Sequence, residues 1–199
     1  MATSIHKRSY DCEAFAEDEN LMRVRGHLTD DKPQGLGLAD GESLVIHEMT
    51  VDLMVKMPEF EIVGVETDML VRPYEMCTHV LPDYQQLVGL SITRGYAKKV
   101  RELFGGPGGC SHMGALLVAM GPVAIQASWS FATLHEDPAD GVKGDPDPDA
   151  LERRLQMNAN TCHVWVEDGP QMTAVQMGTD PLRPEWETER LQKLGVLGT

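Results

Sequence analysis

The chain has 199 residues, 42% of them hydrophobic and 24% charged, with a formal charge of -14. That length and balance suit one globular domain with a sizeable core, with or without a tail. The charge repels nucleic-acid phosphates and anionic lipid headgroups, so neither is an expected partner, and an anionic substrate would need a local basic patch.

The opening residues MATSIHKRSYDCEAF lack the apolar stretch of a signal peptide. No uninterrupted apolar run reaches the ~18 residues of a membrane span. Cys12, Cys77, Cys110 and Cys162 lie far apart and read as free thiols of a cytoplasmic protein.

Residues 5–32 read as two strands around the turn EDEN, with Tyr10, Cys12 and Ala14 sharing one face of the first and Met22, Val24, Gly26 and Leu28 one face of the second. DDKPQGLGLADGES is a polar loop. LVIHEMTVDLMVK then alternates strictly: Val45, His47, Met49, Val51, Leu53 and Val55 on one side, Glu48, Thr50, Asp52 and Lys56 on the other. Period-two alternation of this length predicts a half-buried strand. MPEF turns, and EIVGVETDML returns with Val63, Val65, Thr67 and Met69 on one side.

After Pro73, LPDYQQLVGL and RGYAKKVRELF read as short helices. SHMGALLVAMGPVAIQASWSFATL reads as one long apolar helix, or two broken at Gly121-Pro122. The stretch 137–149 carries five Asp and three Pro against one Lys and reads as a solvated linker. ALERRLQMNAN is a helix candidate and TCHVWVED a strand or extended segment. The expected fold is α+β: an N-terminal antiparallel sheet of about four strands packed by later helices. The expected organisation is a single domain over 1–180, with the acidic insert, and a C-terminal tail over 181–199.

Candidate chemistry gathers first at GGPGGCSHMGALL. Glycines let the backbone turn tightly, Ser111 is a good helix N-cap, and a helix start favours anions. Cys110 there is biased toward thiolate and His112 toward neutral imidazole, the form a general base needs. The plainer reading is a turn with an ordinary cap. Arg94, Lys98 and Arg101 follow i, i+4, i+7 spacing and share a helical face that could hold a substrate carboxylate or phosphate, or simply be solvated. His47 sits on an apolar strand face, where an imidazole must be hydrogen-bonded, as a catalyst or as a satisfied core residue. Asp30 or Asp31 could orient a histidine or be turn acids. CTH, CSH and CH clusters offer metal-ligand types without zinc-motif spacing. No cofactor or metal is expected; were one bound, Cys110, His112, Cys162 and His163 would be its ligands.

HKRSYDCEAF, GHLTDDK, IHEM, LVGLSI, GGPGGCSHMGALL and TCHVWVEDGP, in that order, resemble the bacterial domain of unknown function 2889 family, from about His6 to Pro170. The chain departs from the family pattern at Ser111 and Met113, and at Thr78 after Cys77. The resemblance implies that Asp30, His47, Cys110, His112, Cys162 and His163 belong to recurring motifs. It also implies an association with aromatic and acyl-CoA catabolism, without a settled activity.

With no dinucleotide fingerprint or P-loop, proton-transfer chemistry remains. The expectation is a cofactor-independent lyase, by carbon–carbon cleavage, deformylation or decarboxylation, acting beside a phenolic ring. His47 and His112 would be base and acid, with Asp30, Cys110 and His163 in the same site. Arg94, Lys98, Arg101, Tyr96 and Trp165 would bind substrate, with Trp129 and methionines lining an apolar pocket. The first alternative is a thioester-processing enzyme with Cys110 as nucleophile. The second is a non-catalytic ligand-binding or subunit protein. The expected partner is a small aromatic or acyl molecule, with homo-oligomerisation left open.

Overall fold

The structure is a computed structural model that describes residues 2–34, 42–93, 95–134, 152, 155–156, 158–179 and 183–195. The chain divides into two compact units, Met1–Glu136 and Asp137–Thr199. The division falls at the acidic stretch, whose composition offers few apolar side chains to continue a core.

The first unit is built on an antiparallel meander of β1 (Lys7–Ala16), β2 (Leu21–Lys32), β3 (Leu44–Lys56) and β4 (Glu61–Val71), in that spatial order. Alternation decides which face is buried. Met22, Val24 and Leu28 of β2 and Met49, Val51, Leu53 and Val55 of β3 are sealed on one side. On the other side Arg25 donates to Asp52 and His27 meets Glu48. In β4 the expected phase slips: a register irregularity between Met54 and Val55 puts Ile62, not Val63, opposite Val55. Ile62 is buried and Val63 exposed, because an extra residue in one strand reverses the side chains beyond it.

Residues Glu75–Leu87 form a 3-10 segment rather than an α-helix, with Pro82 inside it lacking the N–H an α ladder requires. Tyr84 and Leu87 of this segment are buried. The chain then runs along β4, where Ile62 N–H donates to Leu90 O and Gly89 N–H to Ile62 O.

Helix α1 spans Tyr96–Phe104 and α2 spans Ser111–Leu134, unbroken through Gly121-Pro122. Met113, Leu116, Leu117, Met120 and Ala124 make the buried stripe of α2 against the sheet, at the 3–4 residue spacing of a helix face. Gly26 allows the close approach, since a Cβ there would lie 2.7 Å from Met120 Sδ. By length and composition α2 could also cross a membrane, although no spanning segment was expected; here it is the core helix of the sheet.

In the second unit, α3 (Pro170–Gln176) and α4 (Glu185–Lys193) are short helices. The described residues within ALERRLQMNAN are mostly helical. TCHVWVED forms a 3-10 turn at His163–Trp165 instead of a strand, with Asn160 at φ 58° turning the chain before it. The Asn160 side chain accepts Glu167 N–H and donates to Glu167 Oε2, closing the loop on itself.

Candidate functional site

Cross-strand register assembles the site. On β1, β2 and β3, Arg8 pairs with Asp30 and Asp30 with His47, in a row across the sheet. The β2–β3 ladder shifts register between Asp30 and Asp31, a bulge of the kind that re-aims a side chain at the end of a paired segment. His6, two residues before Arg8, is in phase with it. From above, the first turn of α2 brings His112.

All four basic side chains turn on one carboxylate. Asp30 is 1% exposed. Arg8 Nε and Nη2 donate to its Oδ1 and Oδ2 at 2.5 and 2.6 Å, a two-pronged contact that matches guanidinium to carboxylate. His47 Nδ1 donates to Oδ2 at 3.0 Å. His112 Nε2 lies 3.2 Å from Oδ2, and His6 Nε2 lies 3.3 Å from Oδ1. A carboxylate beside a guanidinium only accepts, so each of these ring nitrogens carries its proton toward Asp30. In the neutral form of each ring the opposite nitrogen, His47 Nε2, His112 Nδ1 or His6 Nδ1, carries the lone pair.

Their surroundings differ. His112 Nδ1 faces Cys110 Sγ at 3.5 Å, so both its nitrogens are engaged. No described residue partners His47 Nε2. The rings of His47 and His112 lie 3.9 Å apart between centroids, tilted by 32°.

Charge follows from this packing. The Arg8 hydrogen bonds hold Asp30 well below the usual carboxylate range, and Asp30 in turn raises the guanidinium. Burial pushes the His112 imidazole down, helped by His47 and Arg8 and opposed by Asp30. His112 is therefore held toward the neutral form.

The helix start differs by one residue from expectation. Ser111 is the first helical residue, and Cys110 occupies the flanking position, its carbonyl accepting Gly114 N–H at 2.9 Å. Cys110 N–H is itself tied to the Tyr84 hydroxyl at 3.0 Å. Burial pushes that phenol up to about 12, so it stays neutral and can accept. Before it, Gly105 and Gly109 lie hard against backbone: a Cβ would lie 2.4 Å from Arg101 O at the first and 2.5 Å from Phe104 O at the second.

Ligand atoms of Asp30, His47 and His112 lie within 4.8 Å of one another, so these three could hold a divalent cation. Arg8, bonded to both carboxylate oxygens, already supplies a positive charge at that point, which disfavours a second. Of the alternative ligand set, Cys110 and His112 are here, while Cys162 and His163 are exposed residues of the second unit.

The structure thus brings together Asp30, His47, Cys110 and His112, and adds His6 and Arg8, which sequence reasoning missed. A signal existed: His6 and Arg8 continue the phase of Tyr10, Cys12 and Ala14 by steps of two. The proposed substrate-binding residues do not join them. The Lys98 side chain is 82% exposed and pairs with Glu102, and Arg101 is exposed, which makes this a solvated face of α1. Arg94 lies outside the described residues. Tyr96 is buried in the core with its hydroxyl unpartnered, Trp129 is exposed on α2, and Trp165 belongs to the second unit. An open apolar groove of about 550 Å³ does exist, between Cys12–Ala16 of β1 and Pro122–Leu134 of α2. None of the six clustered side chains lines it.

Fold and site together define an α+β protein whose meander and core helix converge histidines on one buried, guanidinium-bound aspartate. The chain belongs to the family described as protein of unknown function DUF2889, whose model matches residues 6–126. That range contains all six clustered residues and excludes Cys162 and His163, which the sequence resemblance had included. No curated protein and no solved structure matches the chain.

Proposed function

We propose that the protein is a proton-transfer enzyme, a cofactor-independent lyase that breaks a carbon–carbon bond beside a phenolic ring. The observation that carries this reading is His47. Its Nδ1 is fixed by Asp30, whose carboxyl Arg8 holds well below the usual carboxylate range, and its Nε2, the lone-pair nitrogen of the neutral ring, has no partner among the described residues. An imidazole oriented this way is a general base. The chemistry suits the groups present. Heterolysis of a carbon–carbon bond removes one proton from a hydroxyl and adds one to the carbon that keeps the electron pair. It consumes no oxidant or reductant. His112 braces the His47 ring and links it to Cys110.

The test is to incubate wild-type protein and His47→Gln with 4-hydroxybenzyl alcohol and 4-hydroxybenzoate in deuterated water. Ring C–D formation with release of formaldehyde or carbon dioxide is expected from the wild type. Loss of about 10²–10⁴-fold is expected in the variant. A variant as fast as wild type would remove His47 from the chemistry.

A second reading is favoured by one contact. Cys110 Sγ, His112 and Asp30 form a continuous thiol–imidazole–carboxylate chain, the arrangement of an activated nucleophile. This supports the thioester-processing alternative. Iodoacetamide at neutral pH would then alkylate Cys110 ahead of Cys12, whose thiol burial pushes up. An inert Cys110 argues against this version.

A further inference from the structure

We infer that the protein pairs with a second copy of itself, edge to edge through β1, in an antiparallel register centred on Tyr10. The inference stands apart from the acid–base reading and uses none of its proton transfers.

The two edges of the sheet are finished differently. The start of β4 is covered by the chain itself: Ile62 N–H donates to Leu90 O, and Gly89 N–H to Ile62 O. β1 pairs with β2 on one side, and among the described residues nothing bonds to the backbone of its other side. An exposed edge is commonly blunted by shortness, proline or a bulge. β1 has none of these. It runs 10 residues, Lys7–Ala16, without proline, and pairs with β2 without a register shift. Its inward charge, Arg8, is neutralised by Asp30.

Charge on β1 selects the register. Lys7, Ser9, Asp11, Glu13 and Phe15 share the face away from α2, where the Arg23 guanidinium stacks on Phe15. Lys7 and Glu13 have no ion-pair partner among the described residues. In an antiparallel pair of β1 strands centred on Tyr10, Lys7 of each copy stands opposite Glu13 of the other, and Ser9 opposite Asp11. Opposite charges so placed stabilise a strand pair and like charges destabilise it. Centring on Asp11 sets Asp11 against itself. Centring on Cys12 sets Asp11 against Glu13, and centring on Glu13 sets Glu13 against itself. Tyr10 is the centre at which a long overlap brings unlike charges together.

The same pairing puts both α2 helices on one side of the joined sheet, because directly opposed residues share a face. On that side lies the open groove between β1 and α2, lined by Cys12, Ala14, Val123, Ala127, Phe131 and Leu134. Of the most apolar window of α2, 33% is buried, and Leu134 is 68% exposed. A helix with so apolar a circumference is normally enclosed. Two grooves facing each other across paired β1 strands supply the enclosure. The row Arg8–Asp30–His47 then continues into Cys12 of the second copy.

The experiment is sedimentation of the full chain and of two charge-reversed variants, Lys7→Glu and Glu13→Lys, alone and mixed. Wild type is expected to sediment as a dimer. Each variant alone sets like charges at both ends of the pair, which should raise the dimer Kd roughly ten- to hundredfold. Mixed in equal amounts, the two variants restore both Lys–Glu pairs, and a Kd within about threefold of wild type is expected. Recovery also shows that each variant is folded. Net charge alone predicts otherwise, since Glu13→Lys makes a chain of charge -14 less acidic and would then improve association. Tyr10→Cys checks the register, because directly opposed Cα atoms lie about 4.5–5.5 Å apart, within disulfide reach. Diamide is expected to cross-link this variant and to leave wild type, whose Cys12 faces Arg8, uncrosslinked. A monomeric wild type, single variants that dimerise as wild type does, or a mixture that stays dissociated overturns the inference. A Tyr10→Cys dimer that does not cross-link overturns the register.

Discussion

Replacing Asp30 by asparagine keeps the shape of the side chain and removes its charge, with consequences at three places. First, stability falls. Asp30 accepts two charge-assisted bonds from Arg8 and one from His47 inside the protein. Bonds to charged groups contribute roughly 1.5–3 kcal/mol each. The Arg8 side chain is 34% exposed and regains water when released, which discounts the loss. A net cost of about 2 kcal/mol results, or a drop of about 4–8 °C in Tm at roughly 2–4 °C per kcal/mol. Second, His47 changes tautomer. A carboxylate only accepts, whereas the introduced amide would turn its oxygen to Arg8 and its NH₂ to Nδ1. The His47 proton then moves to Nε2, the position that must be bare in a base. Third, His112 loses the one group that raises it and moves further toward neutrality. Calorimetry measures the first effect, and ring 15N shifts at neutral pH measure the other two. A D30N protein with wild-type Tm and His47 still protonated on Nδ1 would refute the account of Asp30 as the organising charge.

Three further outcomes are expected. Gly109→Ala places a Cβ 2.5 Å from Phe104 O and should cost about 1–3 kcal/mol by denaturant midpoint. Gly114→Ala, in the first turns of α2, meets nothing within 4 Å and should gain up to about 1 kcal/mol; equal effects would contradict the packing described. Tyr84→Phe removes the acceptor of Cys110 N–H and should cost about 1–3 kcal/mol, with Cys110 alkylation changed if that bond sets the thiol position. As pH falls, His112 and Asp30 destabilise the fold in the same direction. Each is depressed in the folded state, so the unfolded chain binds more protons. Loss begins below the unfolded histidine value of about 6.5 and deepens below about 4 as Asp30 contributes. A Tm that is flat or rising from pH 7 to pH 4 would contradict both shifts.

Much of the frame was legible in the residues. The alternation of LVIHEMTVDLMVK marks β3 at its observed bounds, Leu44–Lys56, because one face must be apolar and the other wet. The apolar run after Cys110 marks α2. The sequence left open whether Gly121-Pro122 breaks that helix. The helix runs unbroken, with Met120, Gly121 and Ala124 buried and a Cβ at Gly121 meeting the Tyr96 ring at 3.1 Å. Histidine on an apolar face, aspartate near a strand end and Cys-Ser-His at a helix start are each visible locally. The basic spacing of α1 was equally visible and points into solvent, since helical phase says which residues share a face and not what that face meets.

What the chain determines by itself is therefore local: periodicity, turns and the residue types able to move protons. Register, bulges and the docking of α2 decide the rest. Arg8, Asp30 and His47 sit on three different strands and His112 on a helix, far apart along the chain, and only the pairing of those elements brings their charges to one buried carboxylate. Periodic patterns report neighbours along the backbone, whereas the energy of this cluster comes from groups that the folded sheet makes neighbours in space.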